Sequence, residues 1–238
     1  MDLARPRTAL TVLCAASFLA VVDTTIVSIA LPSIRSALQF TSSGSQWVLN
    51  AYALVFGGLL LFCGRLGDRL GRRRLFLAGL IVFLVGSVAA GIANQSWTLI
   101  VGRIIQGLGA AAFVPSSLSL LTASFAAGTA RSRALAAYGA MAGLGFIVGM
   151  VGGGVITEIL GWRWIFLLNV PIVLIMLVPA RRTIPESRDL NTPRSNDVGG
   201  AVAVTLGLVL LIFAMTSAPQ QGWLAPATWI PGVLGLAH

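Results

Sequence analysis

Residues 46–64 read QWVLNAYALVFGGLLLFCG, and residues 65–74 read RLGDRLGRRR. The first stretch is 19 residues long and carries no charge. A helix needs about 20 predominantly apolar residues to cross a bilayer. The second stretch holds five arginines and one aspartate. An apolar run of this length is too long for a strand. Lipid admits only helices or closed barrels, because every backbone N–H and C=O must be paired within the protein. The pair of stretches therefore predicts a membrane helix that ends at a charged, water-facing loop.

The same alternation runs along the whole chain. Apolar runs span about Thr8–Ile34, Gln46–Gly64, Leu75–Ala93, Trp97–Phe125, Ala134–Thr157 and Trp164–Ala180, and a seventh is expected at Val198–Ser217. Of 238 residues, 57% are hydrophobic and only 10% are charged. Soluble domains carry about 25% charged residues, and disordered chains are poor in apolar ones, so both classes are excluded. Cys14 and Cys63 are too few for a disulfide framework. The lone histidine is His238, and no nucleophile–base pair or metal cluster stands out, which argues against an enzyme. The net charge of +9 comes from arginine alone. Its short clusters between apolar runs are a topological pattern and not a nucleic-acid-binding stripe.

Those clusters orient the chain. Arg5 and Arg7, the five arginines at 65–74, Arg131 and Arg133, and Arg181, Arg182, Arg188 and Arg194 fall on one side if the helices alternate. The opposite loops hold Arg35 and Arg163. Basic residues mark the cytoplasmic side, so the N-terminus is expected inside a plasma (inner) membrane. Trp47, Trp97, Trp162, Trp164 and Trp223 fall near the outer ends, as interfacial anchors do. A cleaved signal peptide starting at Arg5 is the rival reading. The apolar stretch running past Asp23 to Ile34 argues against it.

Two charges stand where lipid is costly. Asp23 is fifteen residues into the first helix, roughly 22 Å from its inner end. Arg103 is six residues into the fourth, roughly 9 Å from its outer end. In a core of about 30 Å the two depths nearly coincide, which predicts a pair facing a shared cavity. It is either a brace between two helices or a protonatable acid held by a positive partner. Asn50, Tyr52, Gln106 and Asn169 are polar residues within helices, suited to interhelical hydrogen bonds. Glu158 lies near an outer end, within reach of the interface. Gly139, Gly143, Gly145, Gly149 and Gly153 give helix five overlapping small-xxx-small spacings, which let backbones approach closely. Gly152 and Gly154 add flexibility.

The stretch Gly64–Arg74 resembles the signature loop of the major facilitator superfamily, G-x-L-a-D-r-x-G-r-r. It matches at Gly64, Leu66, Asp68, Arg69, Gly71, Arg72 and Arg73, between helices two and three. Three further stretches resemble motifs of its fourteen-helix drug:proton antiporters. They are Asp23–Val27 with Ala30-Leu31-Pro32, then Gly102–Gly107, then Gly145-x-x-x-Gly149-Met150-x-x-Gly153-Gly154. Gly161–Phe166 and Asn169-Val170-Pro171 are similar to that branch's join into helix six. The family has proline where this chain has Met150; proline kinks a helix, so helix five is expected to be straighter.

The resemblance implies an all-α polytopic membrane protein. Residues 1–180 would be the six-helix N-terminal bundle, built as two inverted three-helix repeats. Residues 181–197 would be a cytoplasmic loop. Residues 198–238 would hold one inserted helix and the start of a truncated eighth. It implies proton-coupled export of amphipathic or cationic drug-like molecules, with Asp23, Arg103, Gln106 and Asn50 along the proton and substrate path. Gly64, Asp68, Arg69, Gly71, Arg72 and Arg73 would form the gating loop. Gly145, Gly149, Gly153 and Gly154 would form the antiporter-type helix. No cofactor is implied, since the proton gradient drives the cycle. The partners implied are lipid, protons, substrate and a missing C-terminal half. The alternatives are a transporter of a metabolite or antibiotic, or a truncated fragment that does not transport.

Overall fold

The computed structural model describes residues 6–187, scattered positions between 203 and 218, and residues 225–236. The described elements are all helical: α1 (Pro6–Ala37), α2 (Ser42–Leu70), α3 (Arg72–Gly91), α4 (Ser96–Ser124), α5 (Thr129–Ile159), α6 (Arg163–Leu167), α7 (Asn169–Thr183) and α8 (Pro226–Leu236). Taking α6 and α7 together, six segments among the described residues are long and apolar enough to cross a membrane. Pro171 has no N–H for the carbonyl of Leu167, and the sixth segment is interrupted one residue later, at Leu168. The expected loop at Arg181–Asp197 lies outside the described residues beyond Ser187, and the expected span Val198–Ser217 lies largely outside them.

One boundary differs from the sequence reading. Gly64–Leu70, expected in a loop, continues α2 for about two more turns, and Gly71 alone separates it from α3. Charged residues end the membrane-buried part of a helix but not the helix, because arginine and leucine are good helix formers in water. The turn falls at Gly71, with φ +109°, a backbone conformation that side-chain-bearing residues rarely adopt. At the other end, Thr41 starts α2 by accepting the Gly44 N–H at 3.0 Å.

Close backbone approach sets the packing. α3 crosses α4 on glycines from both helices. A Cβ on Gly79 would lie 2.6 Å from the Phe113 nitrogen, and one on Gly109 would lie 2.4 Å from the Phe83 nitrogen. Gly86 meets Gln106, and Gly102 meets Ala90, in the same way. α1 packs on α5 through Gly145, Gly149 and Gly153.

The interior holds two main apolar clusters stacked along the helix axes. The first contains Leu19, Phe83, Ala110 and Val173. The second contains Ile26, Ala90, Leu99 and Phe166. On α1, α3, α4 and α7 one short polar stretch falls at the changeover: Asp23, Ser87, Arg103 with Gln106, and Asn169, all buried. Those four helices therefore share a thin polar layer between two apolar ones.

Candidate functional site

That layer is one hydrogen-bonded network. Arg103 Nη1 meets Asp23 Oδ2 at 2.6 Å. The same nitrogen donates to Gln106 Oε1 at 2.8 Å, and Arg103 Nε donates to the Val48 carbonyl of α2 at 3.0 Å. Asp23 Oδ1 accepts from Gln106 Nε2 at 3.0 Å and from Asn169 Nδ2 at 2.9 Å. Gln106 Nε2 also donates to Ser87 Oγ at 2.8 Å, and Ser87 donates onward to the Phe83 carbonyl at 2.8 Å. The Tyr52 ring lies under the guanidinium, 4.3 Å from ring centroid to Cζ, a cation–π contact. Asp23 is fully buried with both oxygens occupied, which is what makes an ion pair tolerable away from water.

Of the residues expected on the path, Asp23, Arg103 and Gln106 come together. Asn50 is half-buried on α2 and takes no part in these bonds. Ser87 and the Val48 carbonyl are additions, and Asn169 moves from a generic polar position into the centre. The helix boundaries put both side chains at the depth of the ion pair. Ser87 is fifteen residues from the start of α3 at Arg72, roughly 22 Å, and Asn169 is six residues past Arg163, roughly 9 Å. Counted in the same way from their helix starts, Asp23 is 17 residues into α1 and Arg103 seven residues into α4, so the four side chains lie at similar depths.

A cavity of about 440 Å³ opens beside the network, bordered by Ser17, Thr24 and Ser28 of α1, Tyr52 and Phe56 of α2, Arg103 of α4 and Tyr138 of α5. Ser28 also borders a larger space of about 740 Å³ near Arg35 and Gln46 at the far ends of α1 and α2. Arg35 there donates to Ser42 Oγ at 2.7 Å.

The arginine-rich end carries a second assembly. Asp68 pairs with Arg72 at 2.8 Å, joining α2 to α3 across Gly71. The chain returning after α7 docks on the same turn. Glu186 Oε1 accepts the Arg73 N–H at 3.1 Å, Glu186 Oε2 lies 3.6 Å from Arg74 Nε, and the Ser187 carbonyl accepts the Arg72 N–H at 3.0 Å. Arg73 also donates to the Arg181 carbonyl. A carboxylate at the first turn of α3 satisfies otherwise unpaired N–H groups and suits the helix dipole. Gly64 has open space at its Cβ position and borders a small cavity with Arg65, Asp68 and Pro115. Arg69 is exposed on the last turn of α2 and has an interaction partner.

Six spans, a charged turn after the second and a buried polar layer define a recognisable architecture. The family model of the Major Facilitator Superfamily matches residues 13–237. The chain belongs to the major facilitator superfamily. It is 44% identical to the cephamycin export protein CmcT of Amycolatopsis lactamdurans, over 96% of this chain and 47% of that protein. It is 40% identical to the MFS-type transporter EfpA of Mycobacterium tuberculosis, over 92% of this chain and 41% of that one. It is 39% identical to the puromycin resistance protein pur8 of Streptomyces alboniger, over 95% of this chain and 45% of that one. The chain thus spans less than half the length of these relatives. Among solved structures, a peptide transporter POT bound to sulfate superposes with a TM-score of 0.70 at 18% identity, over 96% of this chain and 50% of that one. At that identity the likeness speaks for the fold.

Superfamily membership makes this a multi-pass membrane protein of a transporter family. Within that frame α5 divides its glycines between two faces. Gly145, Gly149 and Gly153 face α1, where added Cβ atoms would fall 2.8 Å from the Phe18 carbonyl, 2.9 Å from Thr25 and 3.1 Å from Ile29. Gly139, Gly143 and Gly154 face open space, so Gly154 is separated from the other three antiporter-motif glycines. Met150 is exposed on the helix surface.

Proposed function

We propose that this chain forms the first half of a proton-coupled transporter exporting drug-like amphipathic molecules across a plasma membrane, with its N-terminus in the cytoplasm. The observation that carries the reading is the buried Asp23–Arg103 pair at 2.6 Å beside an open cavity. A brace between helices can be built from apolar side chains without burying charge. Ionisable residues within a membrane more often mark ion or proton paths. Proton binding at Asp23 removes the charge that Arg103, Gln106 and Asn169 converge on. It thereby alters contacts of α1 with α4 and α7 in one event. The proton gradient supplies the energy, with no bound cofactor.

The substrate class follows the relatives, which include proteins named for export of cephamycin and for resistance to puromycin. In this reading residues 1–180 are the transport bundle, 181–197 a cytoplasmic loop, and 198–238 one further helix and the start of another. A second bundle covers the open side of the cavity. The Asp68–Arg72 turn with Glu186 forms part of the cytoplasmic gate. The test is drug efflux from cells carrying a transporter that contains these residues. Asp23→Asn is expected to abolish energised efflux while the protein inserts at normal levels. Unchanged efflux at every pH examined would overturn the reading.

A further inference from the structure

Three of the hydroxyl groups at the cavity, those of Thr24, Ser28 and Tyr138, have already committed their hydrogens. Thr24 donates to the Val21 carbonyl at 3.0 Å, and Ser28 donates to the Thr24 carbonyl at 2.9 Å. Ser117 donates to the Val114 carbonyl at 2.7 Å. Its oxygen is therefore the acceptor for the Tyr138 hydroxyl, 2.8 Å away. A hydroxyl carries one hydrogen and two lone pairs. What Thr24, Ser28 and Tyr138 have left to offer a ligand is lone pairs.

The charge at the wall is also balanced. Arg103 is the one charged residue among the cavity's described lining residues, and its guanidinium is paired with Asp23. Asp23 is fully buried with both oxygens occupied, so no carboxylate is presented to a cation. A cationic ligand would meet the guanidinium instead. The α2 side is aromatic: the Tyr52 and Phe56 rings lie 5.8 Å apart at 19°. Offset stacking on such a pair favours a further flat ring. A volume of about 440 Å³ suits a drug-sized molecule.

We propose that this cavity binds a neutral, planar aromatic molecule bearing hydrogen-bond donors. It stacks on the α2 aromatics and directs N–H or O–H groups toward Thr24, Ser28 and Tyr138. The proposal rests on the reading of the cavity as part of the transport path, and it narrows the substrate from amphipathic or cationic to neutral and donor-bearing.

The test is equilibrium binding to a transporter containing these residues, in lipid nanodiscs, measured by fluorescence against empty discs. Three planar probes separate the chemistry: trans-resveratrol (neutral, phenolic donors), pyrene (neutral, no donors) and ethidium (a cation). Resveratrol is expected to saturate at the lowest concentration. Thr24→Val with Ser28→Ala should weaken resveratrol about tenfold and leave pyrene unchanged. Thr24→Ser, which keeps the hydroxyl, should retain wild-type binding and excludes a folding defect at that position. Phe56→Ala should weaken both neutral probes. Tighter binding of ethidium, saturation by no probe, or no effect of the double variant would each overturn the proposal. The transport reading fails separately. Selective resveratrol binding without Asp23-dependent efflux would leave the site standing and remove the transporter. Asp23-dependent efflux with a preference for ethidium would do the reverse.

Discussion

The Asn169 amide donates to Asp23 Oδ1 at 2.9 Å across 146 residues of chain. The contact sits where the apolar cluster around Phe83 gives way to the one around Phe166. It ties the interruption between α6 and α7 directly to the buried acid. Asn169→Leu removes one of the two donors to that oxygen. A buried hydrogen bond to a charged group contributes about 1.5–3 kcal/mol, and Gln106 stays as the remaining donor to that oxygen. The variant should therefore unfold at lower temperature in detergent. Asn169→Asp, which sets a second carboxylate against the first, should lower it further. Equal melting of the two variants would argue against a direct Asn169–Asp23 interaction.

Arg103 and Asp23 should be separable into stability and function. Arg103→Ala leaves an uncompensated buried carboxylate, a loss of about 3–5 kcal/mol, and should sharply reduce the amount of protein in the membrane. Adding Asp23→Asn removes the orphaned charge and should restore protein level but not efflux. Efflux recovered in the double variant would mean that the pair is a brace only.

Glu186 should hold the returning chain on the turn at Gly71. Glu186→Ala removes the acceptor for the Arg73 N–H and the charge near Arg74. Trypsin should then cleave after Arg182 faster than in the unaltered protein, with the cavity-probe affinities unchanged. Gly71→Ala is expected to act in the same direction. Its φ of +109° disfavours a side chain, and the new Cβ would lie 2.5 Å from Glu186 Oε1. Unaltered cleavage in both variants would argue against the contact.

The glycines make a paired comparison. Gly109→Ala would place a Cβ 2.4 Å from the Phe83 nitrogen and must push α3 and α4 apart, which typically costs about 1–3 kcal/mol. Gly143→Ala meets nothing within 4 Å. Thermal unfolding should be lowered by the first and not by the second. Equal effects would place the α3–α4 crossing elsewhere.

What the sequence could and could not reveal follows from the range of each interaction. The spans were legible because hydropathy is local and the runs are long. The nearness of Asp23 and Arg103 was legible because a charge in lipid demands a partner at its own depth. Ser87 was silent, since one hydroxyl in an apolar helix often serves its own backbone, as this one also does toward Phe83. Asn50 looked as eligible as Gln106, and only the facing of α2 separates them. Helix five advertised its glycines through regular spacing. The closest crossing lies instead between α3 and α4, where Gly79 and Gly86 are seven residues apart and Gly102 and Gly109 match them from the other helix. That correspondence is invisible until the helices are laid side by side. Glu186 reaches Arg73 across 113 residues, a distance at which no local pattern speaks.

Proton movement driven by substrate is the decisive measurement for Asp23. A transporter containing this chain would be reconstituted in liposomes enclosing a pH-sensitive dye, and a concentration step of a transported drug applied across the membrane with no imposed pH gradient. Proton coupling through Asp23 predicts a change in luminal pH on drug addition that Asp23→Asn eliminates, while drug binding to the purified variant persists. Drug movement without any proton movement, or a proton signal of full size in Asp23→Asn, would contradict it.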